Sequence, residues 1–148
     1  MAASRAETEA MTTNSPRALP ALSGAARTLT YWAGGFMLFI AAAHTAVFAP
    51  HPYWEHWISG GLRQAGVDPE SLATFWALPG GFVVTLALLG LMVLRDARAG
   101  AAVPGYFGPV IAVWCLACTW LIGPSGFLSG LVPAALLIVA ALLRRRRG

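Results

Sequence analysis

From Ala99 to Leu143 the chain runs for 45 residues without an Asp, Glu, Lys or Arg, then meets Arg144-Arg145-Arg146-Arg147. A helix needs about 20 apolar residues to cross the roughly 30 Å hydrocarbon core of a bilayer, so this run is long enough for two crossings. Gly123-Pro124-Ser125-Gly126 lies at its middle, and clusters of Pro and Gly break helices and reverse chains. The pattern predicts a helical hairpin in a membrane, over about residues 106–122 and 127–143.

Two further apolar stretches precede it. Residues 29–48 hold Gly34-Gly35, Phe36-Met37-Leu38-Phe39-Ile40 and Ala41-Ala42-Ala43; residues 73–94 are interrupted early by Pro79-Gly80-Gly81. Proline at position 79 deprives the Phe75 carbonyl of its helical donor, which predicts a kink. Hydrophobic residues make up 57% of the chain and charged ones 11%, against about 25% charged in soluble domains. So little polar surface cannot cover such a core in water, so lipid must serve as solvent. The expected fold is an all-α, four-helix transmembrane bundle forming one domain over residues 28–143. It is flanked by a disordered tail over 1–27 and a basic tail over 144–148. Met11 is an alternative start, and cleavage of a signal peptide after Ala49 is a rival reading of the first span.

Between the first two spans, Tyr53-Trp54-Glu55-His56-Trp57-Ile58 places two Trp and a Tyr at helical spacing, the composition of a short turn at headgroup level. Asp68-Pro69 then reads as an N-cap followed by proline at the first helical position. All ten basic residues are arginines, and with four spans nine of them fall on one side, Arg63 alone on the other. The positive-inside rule puts that side, with both termini, in the cytoplasm. Exporting the last four arginines against roughly 100 mV would cost about 9 kcal/mol. The net charge of +4 therefore reports topology, and nucleic acid is not an expected partner. A lipid-phosphate role for the terminal arginine run is a secondary reading.

Small residues recur four apart in the spans: Ala73, Ala77, Gly81 and Thr85; Gly108 and Ala112; Gly126, Gly130 and Ala134. Lipid is as apolar as leucine, so membrane helices associate where small side chains let backbones approach. These stripes predict a compact bundle; a homo-oligomer through the Gly126–Gly130 face stays open.

His44 is the one ionisable side chain well inside a span, and such a group is a functional candidate by default. Its alternatives are a neutral imidazole hydrogen-bonded to a neighbouring helix or a member of a small-molecule or proton site, with Glu55 or Arg63 as loop partners. No second histidine lies at membrane depth for a bis-histidine haem. His51 and His56 fit no familiar zinc spacing, and no metal or cofactor is expected. Cys115-Leu116-Ala117-Cys118 matches the C-x-x-C of thiol oxidoreductases, but both thiols approach a helix C-terminus, where the dipole disfavours thiolate, and no second cysteine pair relays electrons. Cys115 also continues the stripe Gly108, Ala112, Cys115, Thr119, which favours packing. Pro133 in the last span predicts a second kink by freeing the Ser129 carbonyl; with Pro79 it would open a cavity.

His44-Thr45, Phe75-Trp76, Pro124-Ser125-Gly126-Phe127 and Val132-Pro133-Ala134 together resemble a family of small bacterial four-span membrane proteins, domain of unknown function 6463, over residues 29–139. The resemblance implies a bacterial inner-membrane protein with four helices and no assigned activity; C-x-x-C is not part of its pattern. The expected function is non-enzymatic, with an outer-face cluster of His44, Arg63, Trp76 and Pro124 binding a small molecule or lipid. No catalytic residue is assigned. The alternatives are a membrane thiol-disulfide oxidoreductase using Cys115 and Cys118, and an accessory subunit of a membrane complex whose protein partner the sequence does not name.

Overall fold

In the computed structural model, Leu22 and residues 24–146 are described; most of the predicted disordered tail, and the last two residues, lie outside them. Every regular element among the described residues is helical. The order is α1 (Gly24–Phe48), α2 (Tyr53–Ile58), a 3-10 turn (Gly61–Arg63), α3 (Pro69–Ala77), α4 (Phe82–Arg98), α5 (Phe107–Ile122), a second 3-10 turn (Gly126–Gly130) and α6 (Leu131–Arg145). Three segments, α1, α3–α4 together, and the second 3-10 turn with α6, are long and apolar enough to cross a bilayer. These identify a membrane protein. The fourth apolar helix, α5, has 16 residues and is therefore only about 24 Å long, short of the hydrocarbon thickness by a few ångströms.

Helix α1 is the centre of the bundle. It packs against both α4 and α6, and α6 packs against α5, giving a packing order α4–α1–α6–α5. Its buried face is Ala26, Thr30, Ala33, Gly34, Met37 and Ala41; the Thr30 hydroxyl donates to the Ala26 carbonyl at 2.8 Å, so the buried polar atom is satisfied. The facing residues are Gly90, Val93, Leu94 and Ala97 on α4 and Pro133, Ala134, Leu137 and Ala140 on α6. Small residues, Ala26, Ala33, Gly34, Gly90, Ala97 and Ala140, make up much of the buried interior around Met37, Val93 and Leu137, while Trp32, Phe39 and Trp120 remain largely exposed. This is the membrane rule of close approach rather than apolar burial. At its centre Gly34 meets Gly90. A Cβ on Gly34 would lie 2.9 Å from the Gly90 carbonyl oxygen and 2.8 Å from Leu94 Cγ. Gly108 repeats the motif between α5 and α6, where a Cβ would lie 2.9 Å from the Ala134 carbonyl oxygen.

Four expectations are corrected. Helix α1 begins at Gly24, so residues 24–27, assigned to the disordered tail, are helical. Arg27 is the reason: its side chain donates to the Ala97 and Arg98 carbonyls, each at 2.8 Å. That cation at the C-terminus of α4 satisfies carbonyls the helix leaves open. Secondly, Pro79 ends a helix rather than kinking one. α3 stops at Ala77, and the Phe75 carbonyl is satisfied by Gly80 N at 2.8 Å and Leu78 N at 3.1 Å before α4 starts at Phe82. Gly80 is required in this turn, since a Cβ would fall 2.5 Å from the Phe75 ring. Thirdly, Pro133 lies in the first turn of α6, where its missing N–H costs nothing, and no kink follows from it. Lastly, the stripe Ala73, Ala77, Gly81 and Thr85 does not make the α1–α4 contact; Ala73 and Thr85 are exposed, and Gly90 takes that role.

Candidate functional site

Arginines and aromatics divide the bundle into two ends. At the first, the end of α4 meets the starts of α1 and α5 and the end of α6. Arg27 caps α4, Arg98 stacks over the Tyr31 ring at 5.9 Å, and Arg144 donates to the Val103 carbonyl at 3.2 Å.

The opposite end is held by rings. Trp54 Nε1 donates to the last carbonyl of α1, that of Phe48, at 2.9 Å. Trp57 Nε1 donates to Ser71 Oγ at 3.0 Å and packs edge-on against Phe75, with ring centroids 5.6 Å apart. Asp68 caps α3 as its Asp-Pro pair predicts: one carboxylate oxygen accepts from Ser71 N at 2.9 Å and from the Tyr53 hydroxyl at 3.1 Å. The Ser71 backbone bond, foremost, with the Tyr53 bond adding to it, holds the Asp68 carboxyl below the usual range; partial shielding and the same hydrogen bond push the Tyr53 hydroxyl up. The short helix α2 is thus tied to both α1 and α3.

Beneath this clasp a cavity of about 70 Å³ opens in the bundle's interior. Its walls are Met37 and Ile40 of α1, Phe82, Leu86 and Leu89 of α4, Ile111, Trp114 and Cys115 of α5, and Phe127, Gly130 and Pro133 beside them. No wall residue is charged. Helices α4 and α5 form no interface comparable to the others; they meet through rings, Phe82 against Trp114 at 5.9 Å, with Phe127 edge-on to both at 5.6 and 5.2 Å. The three aromatic rings stand between α4 and α5 and form one wall of the cavity.

His44 stands at the rim. Its ring packs on Phe48 and Phe82 at 5.4 and 5.5 Å, and Ile40, one turn below, lines the cavity. The expected hydrogen bond to a neighbouring helix is not made. The unpartnered, fully buried side-chain polar atoms among the described residues are His51 Nδ1 and Ser125 Oγ, so the His44 nitrogens, also unbonded, are not sealed in.

The other predicted site residues are dispersed. Arg63 is exposed in the first 3-10 turn, Trp76 is exposed on α3 and touches Phe75, and Pro124 is exposed in the turn after α5. Among the described residues, no hydrogen bond, ion pair or ring contact joins any two of His44, Arg63, Trp76 and Pro124. His51 stacks on Tyr53 at 4.0 Å and His56 lies against Gly61, so the three histidines face three separate partners. Cys115 is buried and Cys118 half-buried, and both are free thiols. A Cβ on Gly130 would come within 2.5 Å of Cys115 Sγ, the tight contact its place in the small-residue stripe predicts.

Phe82, Trp114 and Phe127 are the residues that reading the sequence missed. One signal was available: Trp114 lies eight residues, about 12 Å, from the end of α5, whereas membrane tryptophans favour the interface. Compared with family models, with curated proteins and with solved structures, the chain matches none.

Proposed function

We propose that this is a four-span protein of the bacterial inner membrane, both ends cytoplasmic, that works by binding rather than catalysis. It holds the hydrocarbon chain of a lipid or similar amphiphile in the outer half of the bundle. α5, though short, crosses as the third span, with local thinning of the bilayer accommodating its length. Nine of ten arginines on one side set the orientation.

The observation that carries the binding reading is the uncharged cavity walled by Phe82, Trp114 and Phe127, with His44 unbonded at its rim. Its volume selects the ligand. At about 70 Å³ it is less than half the roughly 150 Å³ of an apolar cavity that admits benzene, and far below the 300–1,000 Å³ of pockets for drug-sized molecules. A quinone ring or a haem does not fit; the end of an alkyl chain does. The ring-held seam between α4 and α5 is the route by which a chain enters from the bilayer. His44, about 6 Å from the end of α1, offers a hydrogen bond to the polar head.

Native mass spectrometry of the detergent-purified full chain tests this. The expected result is a retained lipid that is lost from Leu86→Trp, whose larger ring occupies the cavity, while the variant's thermal melting stays close to that of the parent. Equal retention by a folded Leu86→Trp chain would refute it.

A further inference from the structure

The arginine-rich end has a feature of its own, separate from the cavity. Arg144 and Arg145 converge over Gly105: one terminal nitrogen of each guanidinium, Nη2, lies 3.8 Å from the point a Cβ on Gly105 would occupy. The two groups are thus no further apart than the sum of those distances. Arg144 is fixed there because its Nη1 donates to the Val103 carbonyl at 3.2 Å, which leaves Nη2 toward Gly105. The one ion pair among the described residues joins Arg95 to Asp96, so neither converging guanidinium is neutralised by an acid there.

Two like charges held close repel, and this arrangement is favoured when an anion sits between them. Guanidinium groups suit phosphate because their planar fork presents parallel N–H donors to its oxygens. Glycine at 105 leaves that space open. We propose that Arg144, Arg145 and the gap over Gly105 form a phosphate site, occupied by the headgroup of an anionic lipid in the leaflet at this end. The lipid form is favoured by what adjoins it. Beside Arg144 lies a small crevice of about 10 Å³ lined by Leu22, Thr30, Val103, Pro104, Leu137, Ala140 and Ala141; Thr30 apart, these are apolar, so apolar surface adjoins the guanidinium. This is the order of a phosphate followed by acyl chain.

Gly105 provides a test that separates a built site from the general attraction of a polybasic end. Its φ is not in the left-handed region, and a Cβ there makes only ordinary contacts. Gly105→Asp therefore plants a carboxylate where the phosphate would sit, and Gly105→Asn adds the same shape without charge. Arg146→Gln makes the same change in net charge as Gly105→Asp, away from the gap. The full chain in detergent is titrated with phosphatidylglycerol, and in a separate arm with inorganic phosphate, with binding read by native mass spectrometry.

Gly105→Asp is expected to weaken phosphatidylglycerol binding about thirtyfold, the worth of one charge-assisted hydrogen bond. Arg146→Gln should weaken it about fivefold or less, the general contribution of one surface arginine, and Gly105→Asn should stay close to the parent. Arg145→Gln repeats the test should Gly105→Asp fail to fold. The proposal is overturned if Gly105→Asp binds like the parent, or if Arg145→Gln and Arg146→Gln lose binding equally. Inorganic phosphate binding as tightly as the lipid overturns the lipid as occupant.

Discussion

Helix α4 is clamped at one end and held off at the other. Around Gly90 its backbone lies against that of Gly34, with no room for a Cβ. Eight residues earlier, about 12 Å along the axis, Phe82 keeps it away from α5 by a ring-to-ring contact at 5.9 Å, and the space left over is the cavity. Both regions are apolar. They differ in side-chain size alone, and in a membrane size decides how close two helices come. The tight half brings backbones together and the loose half leaves a cavity.

The comparison can be broken most severely from the tight side. Gly34→Val should destabilise the bundle by about 3 kcal/mol, since the new atoms meet the Gly90 carbonyl and the Leu94 backbone nitrogen as well as the Leu94 side chain; unfolding in mixed micelles measures it. The same substitution at Gly35, where a Cβ meets nothing within 4 Å, should cost far less. On the loose side, Phe82→Ala removes the ring that both spaces the helices and supports His44. A loss of about 2–3 kcal/mol is expected, together with a larger cavity that admits benzene, detectable by a benzene-dependent rise in melting temperature that the parent chain lacks.

Smaller effects test what holds the two ends. Arg27→Ala uncovers the Ala97 and Arg98 carbonyls and should lower stability by about 1 kcal/mol, with faster amide exchange confined to the start of α1 and the end of α4. At the other end the smallest effect is expected from Asp68. Its folded-state pKa lies below the ordinary 3.8, so its stabilisation is present above that value and is lost as pH falls through the lowered one. Protection of the Ser71 amide should therefore fade on acidification below about pH 4. In Asp68→Asn, which caps equally well without titrating, that pH dependence should vanish.

Much of the architecture was legible in the sequence. Two apolar helices were expected from 45 residues without a charge, and α5 ends at Ile122 with Gly123 just beyond, as the Gly-Pro-Ser-Gly cluster predicts; α6, expected from residue 127, begins only at Leu131, after the 3-10 turn. The Asp68 cap was readable because capping is local: two neighbouring residues suffice to specify it. Pro79 was readable as a breach in a helix, but not that the breach is complete, because this depended on Gly80 folding back onto Phe75. The candidate site was less legible. His44 was found because an ionisable group in an apolar run is conspicuous. Phe82, Trp114 and Phe127 were not, because they come from α4, α5 and the turn before α6 and become a cluster only once those elements are placed.

The sequence alone, then, determined that the chain is helical, which stretches are apolar enough to need lipid around them, and where the arginines gather. Each of these is a property of residues next to one another. Only the tertiary structure decided which small residues face a neighbour, choosing Gly34 and Gly90 over the regular stripe at Ala73, Ala77 and Gly81, and where the bundle stays open. In water, hydrophobicity marks the buried face of a helix in advance; in lipid the inner and outer faces are equally apolar, and that clue is lost.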